Sequence, residues 1–432
     1  MNNYMKNLNV QNNELYIGKH KLSEIGKTFG TPLYVFDEDD LNSKMRFYNE
    51  KFSCNYFHSK IVYASKAFLV PAICELLKKN GLYMDAMSIT DMEIAKYANF
   101  DMSHIVFHGN NKSNNELEYA VDNEIGYIVV DNLNELERLI KIAKSKRKVV
   151  NTLFRINPLV DAHTHAYIQT ALTASKFGEA INDDSTIDKI IKTYLNNSYV
   201  KLLGFHAHIG SQIKESEPFL LLAKKMVEFS KMIITKYNIE LTTLNLGGGF
   251  GIEYYKDDEK VDLSVMLKQL AYTISEEMQK NQCYLEDVMI EPGRSIVGPA
   301  CLTLYECGIT KKTIGGKNFL FIDGGMTDNI RPALYQAKYE AILTNKVESN
   351  KKVTVDVVGK CCESGDFIIK DALLPVTKVG DYLAVFATGA YNYSMFINYN
   401  GHLKPSVVFV SKDNVRVVSK KQTIENILDL YK

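Results

Sequence analysis

The 432-residue chain reads as an α/β protein, a (β/α)8 TIM-like barrel followed by a mainly β, sandwich- or barrel-like C-terminal domain. Three observations predict this. Between about residues 55 and 300, eight short apolar, β-branched runs alternate with longer stretches of helical period, the pattern of a parallel sheet wound with helices. Polar residues fall near the C-terminal ends of those runs, where barrel enzymes assemble their sites. After residue 300 strand-like runs and turn residues replace the helical pattern. An open, doubly wound sheet is the alternative.

The expected strands, in order, are "KIVYASKA", "YMDAMS", "HIVFHGN", "GYIVVDN", "TLFRINP", "LLGFHAHIGS", "TTLNLGGGFG" and "DVMIEPGR". Between the first two, Leu69, Ile73, Leu76 and Leu77 share a helical face that Gly81 ends. Ser113 with Glu116 marks one helix start and Ser264 another. Residues 36–300 are assigned to the barrel. Residues 301–432, with runs such as "KNFLFIDGG" and "DYLAVFATGAY", form the second domain, joined by residues 1–35, where "NNELYIGKHKL" reads as strand and turn.

Composition narrows the function. With 46% hydrophobic residues the chain can bury a large core, and 51 basic residues balance 51 acidic ones, so no global field favours nucleic acid or a membrane surface. No run is long and apolar enough to span a bilayer, and the polar N-terminus lacks a signal-peptide core. Seven cysteines without framework spacing suggest reduced thiols in a cytoplasmic enzyme.

The strand-end residues Lys66, Asp85, His108, Arg155, His208, Gly247–Gly249 and Glu291 form the expected rim. His206 and His208 would point to one side of a strand, as two metal ligands do. They could equally flank an organic cofactor or be plain strand residues. Arg294 is a poor neighbour for a divalent metal, and no metal is expected. The glycine run lets backbone N–H groups approach a phosphate, and Ser211 and Arg294, on adjacent strand ends, would serve the same anion. Lys66, on the inward alternation of its strand, would be a desolvated amine able to form a Schiff base. A Schiff-base lysine, a phosphate cup and a glutamate for a ring nitrogen together describe a pyridoxal 5′-phosphate site.

The motifs "GTPLYVFDEDDL", "YASKA", "GNNKS", "RINPLVDAHTH", "SKFG", "HAHIGSQI", "GGGFGI", "EPGRSIVGPA", "GMTDNIRPALY", "CCESGDFI" and "GAYNYSMFINYNG" run almost end to end. On these the chain resembles the fold-type III pyridoxal-phosphate decarboxylases, in particular their branch acting on meso-diaminopimelate. The resemblance implies an alanine-racemase-like barrel with a β domain, a homodimer with shared sites, and conversion of meso-2,6-diaminopimelate to L-lysine. The alternative on the same fold is decarboxylation of D-lysine or D-ornithine. By this likeness Lys66 carries the cofactor, with Asp85 beside it, His208 stacks on the ring, and Glu291 meets the ring nitrogen. Ser211, Gly247, Gly248, Gly249, Pro292, Gly293, Arg294 and Tyr391 line the cofactor. Cys362 donates a proton from the partner subunit, with Cys361 as packing. Arg294, Arg331, Tyr335 and Tyr391 bind substrate, Arg331 and Tyr335 at its distal carboxylate, and Glu363 takes the distal ammonium. The chain departs from the family pattern at Asp91 in "SITD", at "GMTD" and at Lys360.

Overall fold

The computed structural model describes residues 5–161 and 175–432. His163 and His165, expected in a loop, lie outside the described residues. Two compact units emerge, one of Met45–Gly251 with Lys260–Gly293, the other of Met1–Lys44, Ile252–Glu259 and Arg294–Lys432.

The first unit is a closed barrel of eight parallel strands: β1 (His58–Tyr63), β2 (Tyr83–Ala86), β3 (Ile105–Phe107), β4 (Tyr127–Val130), β5 (Val150–Asn157), β6 (Val200–His206), β7 (Thr243–Asn245) and β8 (Asp287–Ile290). Each pairs with the next, and β8 pairs with β1 from Asp287 opposite His58. All eight expected strands are present, several shorter than their apolar runs. Val62, Val106, Val129, Leu153 and Met289 fill the interior, so the barrel is a packed core. At the end away from the site, Lys60 donates to Asp287 at 2.6 Å and to the Tyr127 hydroxyl at 3.0 Å, a location that reads as stability.

The helix start and stop signals act locally, as expected. The helix Pro71–Asn80 ends on Gly81 in the left-handed region at φ 67, a conformation only glycine adopts cheaply. Ser113 and Glu116 form a reciprocal capping box on Asn114–Asp122. One boundary differs from expectation. Asp262, not Ser264, caps Leu263–Lys280 by accepting the Val265 N–H, because its carboxylate is a stronger acceptor placed at the non-helical position.

The second unit is mainly β. Strand Cys301–Lys312 pairs antiparallel with Leu33–Asp37, Tyr382–Phe386 and Asn318–Ile322, and Leu33–Asp37 pairs parallel with Ser406–Val410. The N-terminal segment is thus built into the C-terminal sheet, because its apolar run is buried on both faces and needs two neighbours. "NNELYIGKHKL" forms the antiparallel strands Leu8–Gln11, Glu14–Ile17 and His20–Lys21. Two apolar clusters hold this unit, one around Leu15, Val35, Leu302 and Val408, the other around Tyr305, Leu320, Val357 and Leu383. Among the described residues no helix is long and apolar enough to cross a membrane.

Candidate active site

At the C-terminal end of the barrel strands, Glu291 is buried at the end of β8. His108 Nε2 lies 2.8 Å from Oε1, Asn245 Nδ2 donates to Oε1 at 2.8 Å, and His206 Nε2 lies 3.4 Å from Oε2. Burial by itself would raise this carboxyl's pKa, but His108 and His206 outweigh it and hold the group well below the usual carboxylate range. Glu291 is therefore an anion. Burial lowers His206 to about 4 against the pull of Glu291, so its imidazole is neutral and donates through Nε2.

The same three residues, His108, His206 and Glu291, bring candidate ligand atoms within 4.8 Å of one another. The pair His206 and His208, considered from the sequence as metal ligands, does not act together. Oε1 of Glu291 is already met by two donors. Asn245 is fixed with its amide N–H toward Glu291, since its Oδ1 accepts the Gly247 N–H at 2.9 Å. A donor aimed at the same oxygen suits a hydrogen-bonded anion better than a metal ligand.

His208 is half-buried and accepts the Gly248 N–H at Nδ1, 3.2 Å away. Burial, then the charges of Lys66 and Arg155, lower its pKa well below the ordinary histidine value. A neutral ring with Nδ1 occupied in the molecular plane keeps its face available for stacking. The glycine run is demanded by space. A Cβ on Gly248 would stand 1.9 Å from the Glu291 carbonyl oxygen, and one on Gly247 would stand 2.6 Å from that of Ala207. Gly247 also adopts φ 66. The Gly247 and Gly248 N–H groups expected to face a phosphate are taken by Asn245 and His208. Ser211 is half-buried in the turn after β6. Pro292 accepts the Ala64 N–H at 3.0 Å, and a Cβ on Gly293 would stand 2.7 Å from Ala64 Cβ, so "EPG" closes β8 tightly onto β1.

Lys66 departs from its expected environment. The strand ends at Tyr63, and a 3-10 turn, Ser65–Ala67, carries Lys66 out of the sheet. Its flanking residues are buried while Lys66 itself is exposed. The turn is anchored by Asp85, whose Oδ1 accepts the Ser65 N–H at 2.6 Å. Burial, opposed by His108, pushes the Asp85 carboxyl up to about 6. A different lysine, Lys112, is buried, donates to the Gly109 and Val129 carbonyls at 2.7 and 2.6 Å and pairs with Glu135 at 2.8 Å. It pins the loop that follows His108.

The second unit holds its own polar cluster. Arg294 begins the short helix Arg294–Val297 and is buried. It donates to the Tyr254 hydroxyl, and its guanidinium lies 4.7 Å from the Tyr391 ring centroid. Arg331, equally buried, donates to the Tyr339 hydroxyl at 2.7 Å and sits 4.7 Å from the Tyr254 ring centroid. Burial would raise the Tyr254 phenol, but Arg294 and Arg331 lower it. Tyr391 has φ 60, an uncommon conformation for a bulky side chain that tends to mark functional positions. Tyr335, expected to act with Arg331, is half-buried at the end of the helix Arg331–Tyr335, and Arg331 engages Tyr339 and Tyr254 instead.

Cys362 and Glu363 are exposed. The Cys362 N–H donates to Asn400 at 2.8 Å, and Glu363 Oε1 accepts the Gly365 N–H at 3.2 Å. Burial and Asp366 push the Cys361 thiol up to about 12, which leaves it an inert packing group. The departures from the family pattern are accommodated. Asp91 reaches back to the Met87 N–H at 2.9 Å, Thr327 donates to Asp328 at 3.3 Å, and Lys360 is exposed with its N–H on the Gly324 carbonyl.

Sequence reasoning missed Asn245, Tyr254 and Tyr339 as contacts of site residues, and placed His108 and His206 without a partner. The signal for Asn245 was present, a polar residue in an apolar strand two positions before the glycine run. Tyr254 and Tyr339 carried none.

Comparison with known proteins gives the family. The sequence pattern of the "Pyridoxal-dependent decarboxylase, pyridoxal binding domain" matches residues 38–298. The diaminopimelate decarboxylase of Bacillus subtilis is 41% identical over 97% of this chain and 95% of its own length. That of Staphylococcus aureus is 42% identical over 97% of both. The crystal structure of the diaminopimelate decarboxylase from M. jannaschii in complex with L-lysine is similar at a TM-score of 0.90 and 34% identity, covering 98% of this chain and 97% of that one. With a closed barrel, a buried strand-end carboxylate ringed by donors and this likeness along nearly its whole length, the chain belongs to the diaminopimelate decarboxylase family of pyridoxal-dependent enzymes.

Proposed function

We propose that the chain is a carboxy-lyase that uses pyridoxal 5′-phosphate to convert meso-2,6-diaminopimelate to L-lysine and carbon dioxide, the last step of lysine biosynthesis. The observation that carries this is Glu291, an anion held by His108, His206 and Asn245 at the mouth of the barrel, since a buried negative charge suits a protonated pyridine. The residues fit the cofactor. Lys66 would hold its aldehyde carbon, Glu291 its ring nitrogen and His208 its ring face. Ser211, Gly249, Arg294 and Tyr391 are assigned to its phosphate, with Gly247, Gly248, Pro292 and Gly293 shaping the backbone beside it. When bound, pyridoxal phosphate supplies a sink for the electron pair released as the α-carboxylate leaves.

The chain's own residues do the rest. Asp85 anchors the turn that carries Lys66 and so fixes where the amine stands. Arg331, its charge kept by Tyr254 and Tyr339, binds the distal carboxylate, with Tyr335 assigned to the same group, and Glu363 binds the distal ammonium. Cys362 gives a proton to the α-carbon in place of the departing carboxylate. Exposure of both Cys362 and Glu363 in a single chain supports a homodimer in which each copy completes the other's site. Seven free cysteines support a reducing compartment, the cytoplasm.

The test is to load purified protein with pyridoxal phosphate, supply meso-diaminopimelate and measure carbon dioxide and L-lysine, with D-lysine and D-ornithine as controls. Stoichiometric release from diaminopimelate alone is expected. Turnover of either control with diaminopimelate untouched would overturn the assignment.

A further inference from the structure

The two oxygens of Glu291 are not equivalent. An ionised carboxylate only accepts hydrogen bonds, at about four lone-pair positions, two on each oxygen. Oε1 has both taken, by His108 Nε2 and Asn245 Nδ2, each at 2.8 Å. Asn245 cannot turn over without losing the Gly247 N–H that its own oxygen accepts. Among the described residues Oε2 is met only by His206 Nε2, at 3.4 Å, the long end of hydrogen bonding. The His206 ring is not braced from behind, since its buried Nδ1 has no partner among the described residues. Other charged or titratable groups that act on Glu291 without a direct bond are Asp85, Arg155 and His208.

From this geometry we infer that Oε2 is the oxygen that receives the pyridine N–H, and that His108 and Asn245 are positioning residues that lock Oε1 and thereby aim Oε2. His206 is the yielding contact. It lies edge-on to His108, with ring centroids 4.8 Å apart, and can tilt without disturbing the Oε1 bonds. The inference deepens the proposed function and rests on Glu291 facing the ring nitrogen.

The experiment reads the nitrogen directly, by NMR of holoenzyme loaded with pyridoxal phosphate labelled with 15N in the ring, beside the cofactor's dissociation constant. In the unmodified protein the nitrogen is protonated at neutral pH. His108→Leu is expected to lose most of that signal and weaken cofactor binding about tenfold, the worth of one charge-assisted hydrogen bond. His108→Gln, which can still donate to Oε1, restores the signal. His206→Leu keeps it and weakens binding less than about threefold, a bound set by its longer contact. Equal effects at His206 and His108, or a silent His108→Leu, would overturn the inference. Should His108→Leu fail to load, Asn245→Ala supplies the same contrast with His206→Leu. Glu291→Gln separates the two levels. A nitrogen still protonated in that variant sinks the reading of Glu291 itself, whereas a lost signal there with His108→Leu unchanged sinks only the positioning role.

Discussion

Asp366 accepts the Cys361 N–H at 2.9 Å with one carboxylate oxygen and the Met326 N–H at 2.6 Å with the other. It thereby ties the "GMTD" loop to the loop that presents Cys362 and Glu363. Glycines stand at 325 and 359 because a Cβ there would come within 2.6 and 2.2 Å of this carboxylate. Asp366→Ala strands two backbone donors and should cost roughly 2–4 kcal/mol of stability, read from urea unfolding. Turnover should fall further than stability alone explains, because the loop carrying Cys362 loses its anchor. Unchanged kcat in the folded variant would show that the loop holds itself.

Lys66→Ala should abolish both the visible absorbance of the cofactor-loaded protein and its activity. Cofactor added in excess should still bind, weakly and without that absorbance, through the remaining groups. Retained turnover would assign the amine's role elsewhere.

Removing the buried Arg331 guanidinium takes the cation from the proposed carboxylate site and leaves the Tyr339 hydroxyl with the longer Asn392 Nδ2 bond, at 3.3 Å. Arg331→Ala is expected to lower kcat/KM for diaminopimelate by roughly 2–4 kcal/mol, mostly through KM. Arg331→Lys should recover only part, because a point charge replaces a fork. Steady-state kinetics on both variants decide this.

With Cys362 as the proposed proton donor, Cys362→Ala is expected to lower kcat by about two to four powers of ten, with cofactor binding and absorbance intact. Analysis of the product in deuterated water shows whether the slow residual reaction still delivers the proton to one face of the α-carbon. A normal rate would mean that another group delivers it.

Asp328 carries a pH signature. Burial, only partly offset by the Tyr305 hydroxyl 2.5 Å away, pushes its carboxyl up to about 7. Below about pH 4 the group is protonated in both folded and unfolded chains and contributes nothing. Between about 4 and 7 the unfolded chain ionises first, so folding stability falls as pH rises, and the loss is complete above about 7. Asp328→Asn should lack this decline. The difference in unfolding free energy between the two proteins, followed from pH 4 to 8, should change in the variant's favour by at most about 4 kcal/mol. A difference that stays flat would place the Asp328 carboxyl near its ordinary value.

Periodicity carried the barrel well, because each strand is buried on both faces and each helix on one, and these patterns are local. Glu291 and His208 were legible for the same reason, since polar residues at the ends of apolar strands stand out. Lys66 was harder to read. Its alternation continues the strand, yet the sheet ends at Tyr63 and a tight turn follows, a boundary that no residue type announces. Asp262 took the helix cap from Ser264 by one competing hydrogen bond.

The amino-acid order alone determined the order of strands and helices, the glycines where backbones nearly touch, and which side chains reach the barrel mouth. Only the tertiary structure decided that Glu291 shares its charge with His108, His206 and Asn245, and that Arg331 lies buried among Tyr254 and Tyr339. Alternation is a property of neighbours along the chain. Hydrogen bonds and charge stabilisation depend on distances of about 3 Å between groups tens or hundreds of residues apart, and those distances exist only once the strands have closed.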